Sequence, residues 1–167
     1  MWYSSNSLKG NKMINESVKL NGVLEVILRD ANGNIKQQNT YKNRVVTTGL
    51  SYIASRMGDG TGTAMSNMAI GSGTTATTAG DTALGTELTT TGANARPALT
   101  STTVSGVTVV YVAAFGAGVG TGAVTEAGIF NAATAGTMLC RTVFAVVNKG
   151  ETDTLTLNWT ITLAGQA

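Results

Sequence analysis

The chain has 167 residues and a mass of 17.0 kDa, with 43% hydrophobic residues, only 12% charged residues and a net charge of +2. It contains no histidine and one cysteine, which excludes histidine-based acid–base catalysis, an internal disulfide framework and zinc sites built on cysteine pairs. No apolar run approaches the length of a transmembrane helix, and no basic run indicates a nucleic-acid-binding surface. We therefore expect no enzyme, no cofactor, no metal, no membrane and no nucleic acid as partner.

The first 16 residues show no hydrophobic period and are predicted to form an extended N-terminal arm, followed by a single β-rich domain over residues 17–167. Apolar side chains in such an arm are candidates for contacts with a partner protein. These candidates are Met1, Trp2, Tyr3 and Leu8. In an alternative interpretation Met13 is the natural start, and residues 1–12 are an upstream extension.

Residues 18–29 alternate between apolar and polar side chains, which predicts a long strand. Its apolar face would contain Val18, Leu20, Leu24, Val26 and Leu28. Residues 30–34 include an Asn-Gly pair, which is typical of a tight hairpin turn. Residues 35–42 are predicted to return as a polar strand at a sheet edge.

Residues 43–57 contain apolar side chains at helical spacing and are the one helix candidate, with Thr47 or Thr48 as its N-cap and Gly58 at its end. A short strand is predicted over residues 65–71. Residues 72–80 are nearly all Gly, Ser, Thr and Ala, which predicts a loop or an extended surface strand. A short segment at 81–88 and a second loop at 89–97 follow.

The second half of the sequence is dominated by predicted strands over residues 104–115, 124–131, 138–148 and 154–163. The last of these alternates strictly between apolar residues and Thr or Asn, which indicates a half-buried antiparallel strand with Trp159 in the core. Residues 116–122 have glycine at every second position, a spacing typical of a loop and not of a phosphate-binding motif. The whole pattern predicts a mainly β fold, an antiparallel sandwich or jelly-roll-like domain with one short helix.

Glu126 lies inside an apolar strand. We expect its carboxylate to be a structural polar anchor that accepts hydrogen bonds from backbone amides or from Arg141 or Arg96. Asp59 and Asp81, in loops rich in Gly and Thr, are candidate calcium ligands, although neither loop has the EF-hand arrangement.

The single cysteine, Cys140, lies in a predicted strand and is expected to be a buried thiol, with an intermolecular disulfide as the alternative.

Residues 57–140 contain only five charged side chains in 84 positions. A free soluble monomer of this size normally carries more surface charge. This distribution favours a surface that makes repeated contacts between subunits.

Several short motifs occur along the second and third quarters of the chain and beyond: Val-Val-Thr-Thr-Gly-Leu at 45–50, Met-Ala-Ile-Gly-Ser-Gly at 68–73, Asp-Thr-Ala-Leu-Gly-Thr-Glu-Leu at 81–88, Thr-Glu-Ala-Gly-Ile-Phe-Asn at 125–131, Arg-Thr-Val-Phe at 141–144, and Lys149. Together these motifs resemble a block found in small virion structural proteins of tailed bacteriophages, a group that includes head decoration (cement) proteins and tail-associated β-domains. The resemblance covers roughly residues 43–163. It implies an oligomeric, non-enzymatic component of a virion.

The first hypothesis for function is a capsid decoration protein that binds the lattice of the major capsid protein as a trimer or dimer and ties neighbouring subunits together through its arm. One alternative is a tail, neck or baseplate protein, such as a fibre-attachment adaptor. Another is a carbohydrate-binding receptor module, which would need exposed aromatic side chains. The first two place the protein in the virion, assembled in the host cytoplasm.

Overall fold

The computed structural model describes residues 17–58, 60, 62–88 and 96–165. Within these ranges the elements are β1 (Val18–Arg29), β2 (Ile35–Lys42), β3 (Arg44–Val45), α1 (Thr47–Met57), β4 (Asn67–Gly71), β5 (Ser101–Ser105), β6 (Thr108–Phe115), β7 (Gly122–Phe130), β8 (Met138–Lys149) and β9 (Thr154–Gly165). They form a five-stranded sheet in the order β2-β1-β9-β6-β5 and a four-stranded sheet in the order β3-β8-β7-β4. Every pairing is antiparallel, which confirms the predicted mainly β sandwich with one short helix.

The core lies between the two sheets and follows the alternation read from the sequence. In β1 the side chains of Leu24, Val26 and Leu28 are buried, and in β9 the buried set includes Leu157 and Trp159. Trp159 is fully buried, as predicted, and its Nε1–H has no hydrogen-bond partner among the described residues. The predicted face of β9 is confirmed, and that of β1 is confirmed over its second half, because a period of two places every second side chain in the core. The prediction is wrong for Val18, which is 69% exposed because it lies at the end of β1, outside the core.

The helix begins four residues later than the sequence pattern predicts. Arg44 and Val45 form the two-residue strand β3, which pairs with Arg141 and Cys140 of β8. The predicted threonine cap is also wrong, since Val46 is the N-cap residue and makes no side-chain capping bond. The Thr48 hydroxyl donates instead to the carbonyl oxygen of Met138 at 3.0 Å. Arg44 and Val45 therefore belong to a sheet and not to the helix, and the Thr48 hydroxyl bonds to β8 and does not cap the helix.

The predicted single strand over residues 104–115 is wrong, because the chain folds into the hairpin β5–β6 at this point. Ser105 pairs with Thr108, so Gly106 and Val107 form the turn. Gly106 has a φ of 55°, a conformation that tight hairpin turns need and that glycine adopts without strain. In the sequence, Gly106 is the one residue that indicates this turn, and the high β-propensity of the flanking valines makes the segment resemble one continuous strand.

The helix α1 has 11 residues and packs near β8. In the part of the chain that the structure describes, no helix is long and apolar enough to cross a membrane.

Candidate functional site

A carboxylate buried between β7 and the loop that follows β4 organises that loop. Glu126 on β7 is fully buried. Its Oε1 accepts hydrogen bonds from the backbone amides of Gly73 at 2.9 Å and Thr86 at 2.7 Å, and its Oε2 accepts one from Gly85 at 2.9 Å. The side chain therefore fastens both ends of the 72–88 loop to the sheet.

Arg141, on the neighbouring strand β8, completes this arrangement. Its Nε and Nη2 lie 2.9 Å and 2.7 Å from Oε2 of Glu126. Its Nη1 donates to Oδ2 of Asp81 at 2.8 Å, and its Nη2 donates to the carbonyl oxygen of Thr75 at 3.1 Å. We call Glu126, Arg141 and Asp81, with the loop of residues 72–88, the Glu126 centre.

The electrostatics of the Glu126 centre keep all three side chains charged. Burial alone would raise the pKa of Glu126, but the amides of Thr86 and Gly85 and the guanidinium of Arg141 outweigh it and lower that pKa below its usual 4.5. Burial likewise opposes ionisation of Asp81, yet hydrogen bonds from Thr78 and Arg141 lower its pKa. For Arg141, burial is outweighed by the two carboxylates, which raise its pKa.

The glycines of the 72–88 loop are a part of the centre that the sequence analysis missed. A Cβ at Gly73 would lie 2.3 Å from Oε1 of Glu126, and one at Gly71 would lie 2.6 Å from the same atom. Only glycine lets the backbone come this close to the carboxylate. The Gly-Ser-Gly motif at 71–73 is the sequence signal, and its role depends on a glutamate 53 residues away from Gly73.

The structure brings Glu126 and Arg141 together but places Arg96 elsewhere. Arg96 makes a two-pronged ion pair with Glu87, with Nε–Oε1 and Nη2–Oε2 distances of 2.8 Å and 2.9 Å. Its guanidinium lies over the ring of Phe130, 3.6 Å from the centroid, and also donates to the carbonyl oxygen of Ala135. Of the two arginines considered as partners for Glu126, only Arg141 fills that role.

Asp81 has a different environment from that expected of a calcium ligand. Its carboxylate oxygens already accept hydrogen bonds from the guanidinium of Arg141 and from the backbone amide and hydroxyl of Thr78. Asp59 lies outside the described residues. Among the residues that the structure describes, no three His, Cys, Asp or Glu side chains form a group that could hold a metal ion.

Chemically, the Glu126 centre is suited to holding a loop in place. Both carboxylate oxygens already accept at least two hydrogen bonds each, and the group is sealed from solvent. A general base or nucleophile needs a free lone pair directed at a substrate. The geometry is thus that of a fully satisfied buried ion pair.

Cys140 is fully buried, as expected, and burial raises the pKa of its thiol. The arm candidates Met1, Trp2, Tyr3 and Leu8 lie outside the described residues.

The ion pairs have a consequence for the outer surface. Between residues 60 and 140 the structure describes four charged side chains, Asp81, Glu87, Arg96 and Glu126. All four are engaged in the two ion-pair groups described above. Residues 97–125, which contain β5, β6 and the loop before β7, have no charged side chain at all. We call residues 97–125 the uncharged segment.

An open groove lies beside α1, and most of its exposed lining is apolar although several of its residues carry hydroxyl or amide groups. Its cavity volume is about 410 Å³, and its lining includes Thr48, Ser51, Tyr52, Asn131 and Thr137. Of the other tyrosines, Tyr41 stacks on Phe144 and Tyr111 packs against the core. Tyr52 is thus the one tyrosine among the described residues that lines this groove.

A scan against protein-family models, a search of curated proteins and a search of solved structures each found no match.

Replacing Glu126 by Gln tests the contribution of the centre to stability. Both carboxylate oxygens face N–H donors, so the amide nitrogen of Gln would face a donor in either orientation. Breaking one side of a buried ion pair costs about 3–5 kcal/mol, and we expect about 3 kcal/mol because Asp81 still pairs with Arg141. Urea unfolding at pH 7 measures this loss, and the exposed Glu151→Gln serves as the matched control, expected within about 0.5 kcal/mol of wild type.

The difference in unfolding free energy between wild type and Glu126→Gln should also depend on pH. Because the folded-state pKa of Glu126 lies below 4.5, its stabilising contribution is complete above pH 4.5 and is lost as the pH falls through the folded value. The gap in unfolding free energy between wild type and Glu126→Gln should therefore narrow in acid. A gap that is absent at pH 7, or that widens at low pH, would contradict the role assigned to this carboxylate.

Replacing Gly73 by Ala tests the close approach of the loop. The added Cβ would overlap Oε1 of Glu126, and such overpacking costs about 1–3 kcal/mol. Gly116→Ala is the matched control, since no atom lies within 4 Å of its Cβ. We expect Gly116→Ala to be neutral or slightly stabilising in the same unfolding measurement. Equal effects of the two variants would mean that the loop does not depend on contact with Glu126.

Proposed function

We propose that this chain is a non-enzymatic virion structural protein of a tailed bacteriophage, and that it acts as a capsid decoration protein on the lattice of the major capsid protein. One observation carries the proposal. The described charges between residues 60 and 140 are all held in internal ion pairs, and 29 consecutive positions within this stretch, the uncharged segment, have no charge. This part of the domain offers other proteins a surface of Thr, Ser, Gly, Ala and Val.

A surface of this kind is suited to permanent contacts. Charged side chains must be desolvated when a contact forms, and long side chains lose rotamer freedom. Threonine and valine in strands are already restricted at χ1, so ordering them costs little more. Most other charged residues of the domain lie in β1 and β2, towards the other end of the five-stranded sheet, and in the 149–153 turn, which contacts the uncharged segment at Gly116 and Gly118.

The N-terminal arm is the second component of the proposal. In the proposal, residues 1–16, which precede β1 at Val18, act as an arm with Met1, Trp2, Tyr3 and Leu8 as apolar anchors for a neighbouring subunit. A domain contact and an arm contact on the same lattice reinforce each other, because the second binding event is effectively intramolecular. Weak single contacts then suffice for stable attachment.

The motif resemblance supports the same class of protein. Its segments at 68–73, 81–88 and 125–131, together with Arg141, converge on the Glu126 centre. The residues that carry the resemblance thus belong largely to one structural unit, the Glu126 centre. A tail, neck or baseplate protein could use the same domain, so the position in the virion is the part that needs measurement.

The carbohydrate-binding alternative has one observation in its favour, the groove in which Tyr52 lies beside hydroxyl and amide side chains. Sugar sites commonly combine such polar groups with an aromatic face. Binding of the isolated protein to a glycan array, abolished by Tyr52→Ala, would favour this alternative over a purely structural role.

The copy number of the chain in purified particles tests the proposal directly. Quantitative mass spectrometry against the major capsid protein should give a ratio near a simple fraction, because a decoration protein follows the symmetry of the lattice. A ratio of a few per cent or less would instead favour the neck, tail or baseplate. Absence from all particles would contradict a virion role.

Deleting residues 1–16 tests the arm. The domain should keep its strands, which begin at Val18, while attachment to capsids that lack the protein should weaken at least about tenfold, which corresponds to about 1.4 kcal/mol. A Trp2→Ala, Tyr3→Ala variant should show part of this loss, and Lys9→Ala, Lys12→Ala in the same arm is the matched control. Undiminished attachment of the truncated chain, measured by co-sedimentation, would contradict the role of the arm.

A further inference from the structure

The four edge strands of the two sheets differ in how they are protected. An edge strand presents unpaired backbone N–H and C=O groups, and soluble proteins protect such edges with charge, shortness or a covering segment. The edge strand β2 has two lysines, Lys36 and Lys42. The edge strand β3 has only two residues.

The edge strand β4 is covered by the chain itself. Isolated bridges pair Asn67 with Ala98 and Gly71 with Glu87. Between them, the amide of Met68 donates to Pro97 at 3.3 Å, and the carbonyl of Ile70 accepts from the amide of Leu88 at 2.9 Å. Three of the four edges are therefore protected by recognised means.

The fourth edge, β5, has none of these protections among the described residues. It has five residues, all exposed, and it pairs with β6 on one side only. It lies in the uncharged segment, so no lysine or glutamate guards it. Two valines at its turn end are conspicuously open to solvent, Val104 at 69% and Val107 at 61%.

We propose that the β5 edge pairs with the β5 edge of a second copy of this chain, antiparallel and about a two-fold axis at Thr103. The two five-stranded sheets then continue into one ten-stranded sheet. This contact selects the dimer from the two oligomers considered above. It rests on the edge itself and not on the proposed role in a virion.

The sequence of β5 is nearly palindromic, and this is what favours a second copy as the occupant. In Ser101-Thr102-Thr103-Val104-Ser105, antiparallel pairing centred on Thr103 places serine opposite serine and threonine opposite valine. Thr–Thr and Thr–Val pairs across strands are favourable, because their branched side chains pack well and threonine hydroxyls can bond each other.

The absence of charge in β5 also fits a two-fold contact. At a two-fold axis the residue on the axis faces its own copy, so a charged side chain at position 103 would oppose a like charge. A heterologous partner imposes no such restriction, since it can supply the opposite charge. An uncharged edge in a domain whose other long edge has lysines therefore matches self-pairing.

The test is a pair of charge variants at the axis, in the full-length chain. Wild type, examined by sedimentation velocity from about 10 μM to 1 mM, should shift from 17.0 kDa towards twice that mass. Thr103→Lys and Thr103→Glu should each raise the dimer dissociation constant at least about tenfold, since like charges directly opposite are destabilising. An equimolar mixture of the two variants should restore dimers. Thr40→Lys, at an exposed position of the β2 edge, is the matched control and should leave the dissociation constant unchanged.

A cysteine at the axis gives a second readout that does not depend on tolerating a charge. The native Cys140 is fully buried, so Thr103→Cys provides the reactive thiol. With oxidised glutathione it should form a disulfide-linked dimer, whereas Thr40→Cys should not. The proposal is overturned if the wild-type chain is monomeric throughout the range, if it forms a trimer, if Thr103→Lys leaves the dimer intact, or if mixing the charge variants restores nothing.

Discussion

The desolvation of one carboxylate constrains much of this fold. Strand β7 places Glu126 in a buried position beneath the 72–88 loop, where leaving the charge unpaired would cost several kcal/mol, a large part of the net stability of a typical domain. Only the amides of the 72–88 loop and the guanidinium of Arg141 satisfy it. That loop has few large apolar side chains to bury, so hydrophobic packing alone gives it little reason to adopt one conformation. The buried charge supplies the missing specificity, since any other path of the loop leaves carboxylate oxygens without donors.

The small number of charged residues also determines the character of the outer surface. The part of the chain around the Glu126 centre has few ionisable residues. They form ion pairs within the domain, Asp81 and Glu126 with Arg141, and Glu87 with Arg96. A conventional soluble domain does the reverse, keeping its core apolar and its surface charged. Internal order and a neutral outer surface are thus two effects of one distribution of residues, which links the stability of the domain to the surface it presents to partners.

The sequence predicted best where a single strand faces core on one side and solvent on the other. In β1 and β9 the alternation alone identifies the buried residues, Leu24 and Trp159 among them. It failed where backbone pairing decides the outcome, as at β3, whose partner lies almost a hundred residues away, and at Gly106, a one-residue signal among valines. Glu126 and Arg141 could be recognised because a charge in an apolar strand must find a partner. Asp81 and Gly73 could not, because their roles depend on where a loop of small polar residues passes.

The proposed dimer contact uses one edge of the uncharged segment, the outer edge of β5. The β5 edge lies at one end of the five-stranded sheet, while β2, with its lysines, lies at the other. Joining two β5 edges therefore leaves both charged edges at the far ends of a ten-stranded sheet. An edge that pairs through backbone hydrogen bonds needs no charge to be specific, because palindromic register and the alternation of faces fix the alignment. The charged half of each copy then remains available to keep the paired domains soluble before they reach any larger assembly.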